Sequence, residues 1–289
     1  MKKLALLVTA LLAISGTALA ADGDGVLITK VETGNRTDNG SDYNFTNWIT
    51  EGVFKGSNWN GFQLGYLVRK GHNETDNHDG EMELEFRPGY EKQTSWGNFG
   101  GQLIIEQGRN VAGTTSDSKG WDAIKPELWG TYNINEKSRV FARALYETKE
   151  VTGNDVANDW FEVEAQYRYD IGGGTAMVGA FYAPSVEDWA ADGWEGVEET
   201  RLLGNYAKWW PTAKIFTVLY GDVREIKSSE GGDWCNAYKI SLYANTPLPF
   251  MDGLVLEGEI NRFAQFNTIW DTANPYAENF FMLGMRYNF

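Results

Sequence analysis

The chain has few of the residues that usually crosslink or activate an exported protein. It contains one cysteine, Cys235, and two histidines, His72 and His78, in 289 residues. A lone cysteine cannot form a disulfide within the chain, and we interpret Cys235 as a small strand side chain. Positive charge is also scarce, because 25 Lys and Arg stand against 40 Asp and Glu, for a formal net charge of -15. Such an acidic chain repels nucleic acid, which excludes nucleic acid as a partner.

Long apolar runs are missing as well, apart from one at the N-terminus. Met1-Lys2-Lys3 is a positive segment, residues 4–14 are apolar, and Ala18-Leu19-Ala20 has the small residues of a cleavage site. This order is typical of a secretory signal peptide. No later apolar run approaches the roughly 18 residues of a transmembrane helix. We therefore predict a signal peptide over residues 1–20 and a single exported domain over residues 21–289.

The C-terminal segment alternates in hydrophobicity. Counting back from Phe289, every second residue is apolar: Tyr287, Met285, Leu283 and Phe281. A soluble domain could use such a strand to cover its core, whereas an outer-membrane barrel turns it towards lipid and ends it at an aromatic girdle. The terminal Phe289 with Tyr287 also resembles the assembly signal that the outer-membrane barrel assembly machinery reads.

Period-2 alternation recurs along the mature chain. In the clearest segment, residues 81–91, apolar side chains such as Leu84 and Phe86 occupy one face and Glu83, Glu85 and Arg87 occupy the other. Only a strand separates charged from apolar residues in this way. The pattern predicts about fourteen strands. They cover residues 24–33, 43–55, 61–70, 81–91, 98–107, 124–134, 139–148, 160–170, 175–184, 198–210, 213–225, 234–245, 253–264 and 278–289.

The connections between these strands alternate between short and long. Short connections fall near residues 56–61, 92–98, 135–138, 171–174, 211–212 and 246–253. Longer polar ones fall near residues 34–42, 71–80, 108–121, 149–158, 185–197, 226–233 and 265–277. Short turns on one side, long loops on the other and an even strand number are typical of bacterial outer-membrane barrels. The predicted fold class is therefore all-β, a transmembrane antiparallel up-and-down β-barrel of about 14 strands, with 12 or 16 as alternatives.

If the apolar faces contact lipid, the charged faces line the interior. So many ionisable groups are too costly to bury dry, so we expect a wet lumen, which makes the barrel a pore. The alternative is a plugged barrel in which these charges pair across strands. The predicted pore-lining residues are Glu83, Glu85, Arg87, Glu127, Arg143, Glu162, Glu164, Arg168, Glu199, Arg201, Arg224, Glu257, Glu259 and Arg286.

Aromatic residues on the same faces raise the hypothesis of a selective sugar channel, since aromatic planes stack on sugar rings. The candidates for sugar stacking are Trp129, Phe216, Tyr220 and Tyr243.

The predicted loops are more acidic than the wall. A fixed negative charge at a wet entrance concentrates cations and hinders anions, so we expect a weak preference for cations. A merely solvated acidic rim is the alternative. The loop acids concerned include Asp76, Asp79, Glu187, Asp188, Asp192 and Glu195.

Taken with the signal peptide, about fourteen strands in under 300 residues and the closing segment 283–289, this Trp- and Tyr-rich acidic chain resembles the OmpG-type monomeric porins. The resemblance implies a non-specific channel for sugars and small hydrophilic solutes. It also implies a monomer in the outer membrane, with both termini periplasmic. That family closes its pore at low pH through a histidine pair on neighbouring strands. His72 and His78 lie close together around one loop, so that gating site does not carry over.

An outer-membrane barrel could also be an enzyme or an adhesin. Barrel enzymes need a histidine held against Asp or Ser, and His72 and His78 lie near Asp76 and Asp79 in one Asn/Asp/Gly-rich loop, a poor place to hold that geometry. The oxygen ligands of this loop match no complete metal site. We therefore predict no catalytic residues, no metal and no cofactor. An adhesin or structural barrel whose loops do the work is a further alternative.

Overall fold

In the computed structural model, the described residues are 23–38, 41–56, 59–73, 80–111, 120–151, 157–186, 197–228, 234–268 and 277–289. The predicted signal peptide lies outside them. Among the described residues, no helix is long and apolar enough to cross a membrane.

The described chain forms fourteen long strands and one of two residues. In chain order they are β1 (Gly23–Asp38), β2 (Ser41–Gly56), β3 (Phe62–Asn73), β4 (Gly80–Thr94), β5 (Gly97–Val111), β6 (Gly120–Asn133), β7 (Ser138–Val151), β8 (Ala157–Ile171), β9 (Gly174–Ala183), β10 (Ser185–Val186), β11 (Val197–Trp210), β12 (Ile215–Ser228), β13 (Trp234–Pro247), β14 (Leu254–Thr268) and β15 (Ala277–Asn288).

The sheet closes on itself. Each long strand pairs antiparallel with the next one in the chain, and β1 pairs with β15 through a register that includes Val26 opposite Asn288. The short β10 follows β9 after Pro184 and keeps the same register against β8, with Ser185 opposite Trp160. The wall is therefore a closed barrel of 14 antiparallel strands, as predicted.

The end of the barrel that carries Gly25 and Phe289 has tight turns. Here Gly25 and Phe289 exchange two backbone hydrogen bonds, of 3.0 and 3.1 Å between N and O. Between β8 and β9 the chain reverses at Gly172 and Gly173, which have φ of 62° and 76°. Two consecutive positive φ values are the signature of a type I′ hairpin, and glycine adopts both without strain. The sequence signal for a turn at residues 171–174 was therefore correct.

The opposite ends of the strands extend further than the sequence predicted. Residues 34–42 were expected to form a loop, but β1 continues to Asp38 and β2 begins at Ser41. The same holds for β3, which reaches Asn73, and for β5, which reaches Val111. The reason is that ladder hydrogen bonds join backbone groups, so pairing continues into polar sequence as long as a neighbouring strand is present. Hydrophobic alternation marks only the apolar part of each strand.

The two faces of the wall differ as predicted. On β15, Phe281, Leu283 and Met285 are about half exposed on the outer surface, while Met282 between them is 5% exposed on the inner one. Outward aromatic rings contact one another near the turns, as in the pair Trp96 and Phe99, whose ring centroids are 6.0 Å apart. This is the aromatic girdle typical of a transmembrane barrel.

The inner face is less uniformly polar than the sequence suggested. Ile49, Leu67, Leu145 and Leu203 are at most 7% exposed on the inner side of β2, β3, β7 and β11. Met177 and Phe181 join Leu203 in a buried apolar cluster inside the wall. These residues fill the space between the long charged side chains, so alternation of charge alone could not reveal them.

Candidate functional site

The candidate site is the inner wall, where alternate residues of every long strand point towards the barrel interior. The cross-strand register places the predicted set on this one face. Glu83 and Glu85 of β4, Glu199 of β11 and Glu257 of β14 are buried there, at 6 to 9% exposure. Four buried carboxylates need charged or hydrogen-bonding partners. The wall supplies them strand by strand.

On the first strands, cations alternate with acids. The Lys30 Nζ atom lies 3.2 Å from a carboxylate oxygen of Glu51. Arg87 contacts Glu85 two residues earlier on the same strand, and its guanidinium lies 4.0 Å from Glu51. These charges therefore form a chain of ion pairs from β1 to β4.

Further ion pairs join β3 to β4, and β5 through β6 to β7. Arg69 donates to Glu83 at 2.9 Å. Lys125 contacts Glu106 and lies 3.3 Å from Glu147. Because Glu106 also accepts a hydrogen bond from the indole of Trp121, its buried carboxylate is held on two sides.

The neighbouring strands continue the pattern. Arg143 of β7 contacts Glu127 of β6 and lies 3.4 Å from Glu162 of β8. On β8, Glu164 accepts from Gln166, which in turn accepts from Arg168 at 2.6 Å. Each predicted acid in this part of the wall thus has a donor on the same or an adjacent strand.

The most deeply buried charges lie on β11 and β12. Glu199 accepts from Arg201 at 2.6 Å and from Arg224 at 3.1 Å. Arg224 also donates two hydrogen bonds of 2.9 Å to Asp222, whose side chain is fully covered. The Arg201 guanidinium lies 4.1 Å from the ring centroid of Phe181. Two arginines and two carboxylates therefore form a compact neutral cluster on the wall.

The last strands carry weaker pairs. Glu257 accepts from the Tyr243 hydroxyl at 2.8 Å, and Arg286 lies 3.9 Å from the same carboxylate. Glu259 accepts from the Ser241 hydroxyl at 2.7 Å. Neutral hydroxyl donors therefore make the shortest contacts to these two carboxylates.

The aromatic candidates for sugar stacking all lie on the inner face, but most already have partners. Trp129 covers Gly100, where an added Cβ would come within 2.7 Å of the indole ring. Tyr220 donates to Asp222 at 2.8 Å, and Tyr243 donates to Glu257. Phe216 stands opposite Asn245 near the start of β12. The structure therefore places Tyr243 of β13, opposite Val218, diagonally between Phe216 and Tyr220 of β12. Trp129 lies apart from these three on β6.

Sequence reasoning missed several inner residues. Lys30, Glu51 and Glu106 take part in the ion pairs, yet none was among the predicted lining residues. Glu106 follows the run Leu103-Ile104-Ile105, in which apolar residues occupy both faces and hide the alternation. The two glycines before that run give no signal either. The pairing of β5 with β4 and β6 assigns these faces.

Three of the buried carboxylates approach one another closely enough to hold a metal ion. Oxygens of Glu83, Glu85 and Glu106 lie within 4.8 Å of one another. However, Arg69, Arg87 and Lys125 already neutralise them one to one. We interpret this group as part of the ion-pair network.

The predicted loop acids and His78 lie outside the described residues, and the side chain of His72 is not described.

Two grooves lie on the outer surface of the barrel. One, of about 610 Å³, has a floor of alanines that includes Ala142, Ala144 and Ala165. The other, of about 590 Å³, lies between Phe62, Pro88 and other outward residues. Both face away from the inner wall, so neither is an entrance to the interior.

The fold resembles that of several solved structures. The CymD monoaromatic hydrocarbon channel matches with a TM-score of 0.58 at 7% identity, over 94% of this chain and 90% of that one. A Pseudomonas aeruginosa FadL homologue matches with a TM-score of 0.57 at 8% identity, over 92% and 90%. No family model matches the sequence, and a search of curated proteins gave no significant match. The closed fourteen-strand barrel thus belongs to the architecture of transmembrane β-barrels.

Proposed function

We propose that this protein is an outer-membrane porin, a water-filled channel for passive diffusion of small hydrophilic solutes such as sugars and ions. The observation that carries the proposal is the division of one closed 14-strand barrel into an apolar outer face and a charged inner face. A fourteen-stranded barrel is wider than an eight-stranded one, and in the narrower barrel the side chains fill the interior completely. Charged groups on the inside of such a wall favour water there.

Several finer features follow from the same proposal. The predicted signal peptide and the aromatic end of β15 favour export and insertion by the barrel assembly machinery. Both described chain ends lie at the end with the short turns, which in bacterial barrels faces the periplasm. Outer-membrane lipid then surrounds the barrel, and the resemblance to the OmpG-type porins implies a monomer.

The charges suggest only weak ion selectivity. On the wall, acids such as Glu199 and Glu127 are paired with arginines, so their fields largely cancel. The loop sequences are acidic and have few counter-charges. Fixed negative charge at the mouth then gives a weak preference for cations, which salt screens.

Planar-bilayer recording of the refolded protein tests the function. We expect ohmic single-channel current steps. In a KCl gradient, the sign of the reversal potential should show that cations permeate better than anions. A correctly folded barrel that inserts and conducts nothing would contradict the porin proposal. It would instead favour an adhesin, a structural barrel or a barrel enzyme.

The alternative of a selective oligosaccharide channel has less support. Three of its four candidate aromatics already contact neighbouring residues: Trp129 packs over Gly100, and Tyr220 and Tyr243 donate hydrogen bonds to carboxylates. Maltose and maltotriose added to one side of the bilayer distinguish the two functions. Transient blocking of the current at millimolar sugar would favour a selective sugar channel over the general pore.

A further inference from the structure

We propose that Arg262, Asn279, Asn35 and Tyr238 form an outward-facing site for the phosphate of a membrane lipid. We commit to a phosphorylated glycolipid of the outer leaflet as that lipid. The choice of leaflet rests on the proposed outer-membrane orientation, since the site lies far from the end that carries Gly25 and Phe289.

The site occupies the edge of the lipid-facing band. On the outer face of β14, Leu256 and Ile260 lead along the strand to Arg262. On the outer face of the antiparallel β15, Leu283 and Phe281 lead in the same spatial direction to Asn279. Register pairs Arg262 with Asn279, and Asn279 with Asn35 of β1. A row of polar side chains therefore begins at one level on three adjacent strands. This is the level at which lipid headgroups meet the acyl chains.

The guanidinium of Arg262 is held in place by its neighbours. Its Nη1 donates to the Asn279 side-chain oxygen at 2.8 Å, and its Nε lies 3.4 Å from the Tyr238 hydroxyl. The Asn279 amide donates in turn to the Asn35 side-chain oxygen at 2.9 Å. Two neutral partners orient the charged group without cancelling its charge. Its other N–H donors remain for a ligand, because a guanidinium has five.

No carboxylate among the described residues forms an ion pair with Arg262. In this it differs from Lys227, an outward cation on β12 whose Nζ lies 2.9 Å from Glu225. A solvated Arg at a membrane surface attracts anionic headgroups, and the planar guanidinium suits the oxygens of a phosphate. The chemistry of this site therefore fits a phosphate better than a neutral headgroup.

The surface next to the site explains why the ligand is a lipid and not a free phosphate. Ile260, Phe281 and Leu283 are 53%, 47% and 49% exposed on the same outer face. They extend from Arg262 towards the middle of the membrane. Acyl chains attached to the bound phosphate would lie along these residues, so one molecule satisfies both surfaces.

The test compares binding of purified lipid A to the refolded protein by native mass spectrometry. We expect Arg262→Gln to lower the affinity by about fivefold or more, the effect of removing one basic residue at an anionic surface. Arg262→Lys keeps the charge but loses the planar guanidinium, so its affinity for lipid A should lie between those of the parent protein and Arg262→Gln. Lys227→Gln is the matched control and should bind like the parent protein. Heat modifiability on gels verifies that each variant is folded.

Four results would overturn the proposal. These are equal binding by Arg262→Gln and the parent, equal binding of dephosphorylated lipid A, tighter binding of phosphatidylglycerol than of lipid A, and displacement of lipid A by millimolar inorganic phosphate. Conductance separates this inference from the proposed function. Arg262 faces outwards, so its variants should conduct normally whether or not they bind lipid, whereas a non-conducting parent would contradict only the porin proposal.

Discussion

The ring of Phe289 lies directly over the Cα of Gly25, across the seam where β1 meets the end of the chain. A Cβ placed on Gly25 would come within 2.3 Å of the ring, and the two backbones exchange hydrogen bonds there. Phe54 lies next to Phe289, with ring centroids 5.8 Å apart. The seam is thus covered on its lipid side by aromatic rings that need a residue without a side chain beneath them.

We expect Gly25→Ala to destabilise the folded barrel by about 1 kcal/mol or more, because the added methyl displaces the ring. In a Phe289→Ala background the same substitution should cost almost nothing. Urea unfolding in detergent micelles, analysed as a double-mutant cycle, measures this coupling. Gly221→Ala is the control, since its Cβ would have only an ordinary contact, at 3.7 Å. Additive effects of the Gly25 and Phe289 substitutions would show that the ring does not depend on the glycine.

Ala165→Arg should destabilise the barrel by about 2–4 kcal/mol, as expected for a cation on the lipid face near the midplane. Its matched control is Gln102→Arg on the inner face, where Glu127 can pair with the new cation. Reversing Glu83 would be a poor control, because Glu83 is 6% exposed and pairs with Arg69. Unfolding in lipid vesicles ranks the two variants, and the opposite ranking would mean that the faces are reversed.

Arg224→Gln should both destabilise the protein and raise its cation selectivity. Glu199 and Asp222 would keep their negative charges while losing a shared cation. Breaking a buried pair in this way costs about 3–5 kcal/mol, less where water enters. Reversal potentials in a KCl gradient give the selectivity, and unfolding gives the stability. An unchanged reversal potential in a folded Arg224→Gln variant would show that this cluster does not face the conducting path.

Cation preference should fade as salt rises. The Debye length falls from about 10 Å at 0.1 M to about 3 Å at 1 M, so charges at a wide mouth lose their influence. Neutralising Asp76 and Asp79, or Glu187 and Asp188, should reduce the preference at low salt. The measurement is the reversal potential at two mean salt concentrations with a fixed ratio. Anion selectivity that persists at 1 M salt would show that the arginines of the wall determine the ion selectivity.

The fold could be predicted from sequence to a large extent because lipid imposes a strict period. Leu84 and Phe86 face outwards and Glu83 and Glu85 inwards, as their alternation required. The short connection predicted at residues 171–174 is the turn that Gly172 and Gly173 form. The far ends of the strands were not found, because Asp38 and Asn73 belong to a ladder that only a neighbouring strand's backbone makes evident.

The inner wall was harder to predict. Side chains inside a barrel meet partners from adjacent strands, so a residue's neighbours depend on register. The pairing of Arg143 with Glu127 depends on the register of β6 and β7, and the cover of Trp129 over Gly100 depends on the register of β5 and β6. Likewise, the burial of Leu203 and Met177 arises from an inner cluster that no single strand's pattern contains. Sequence therefore assigned faces well and contacts poorly.

Closure of the barrel joins the two most distant parts of the chain. All other long-strand pairs are neighbours in sequence, but Val26 opposite Asn288 spans almost the whole domain. The described strands form a closed ring, and both chain ends lie where β1 pairs with β15. A circular permutant that links Phe289 to residue 23 through a short glycine-rich connection and opens instead between Gly172 and Gly173 should contain the same ladders. Its slowest contact would then be the pairing of β8 with β9, so the last step of assembly would move to the opposite side of the cylinder.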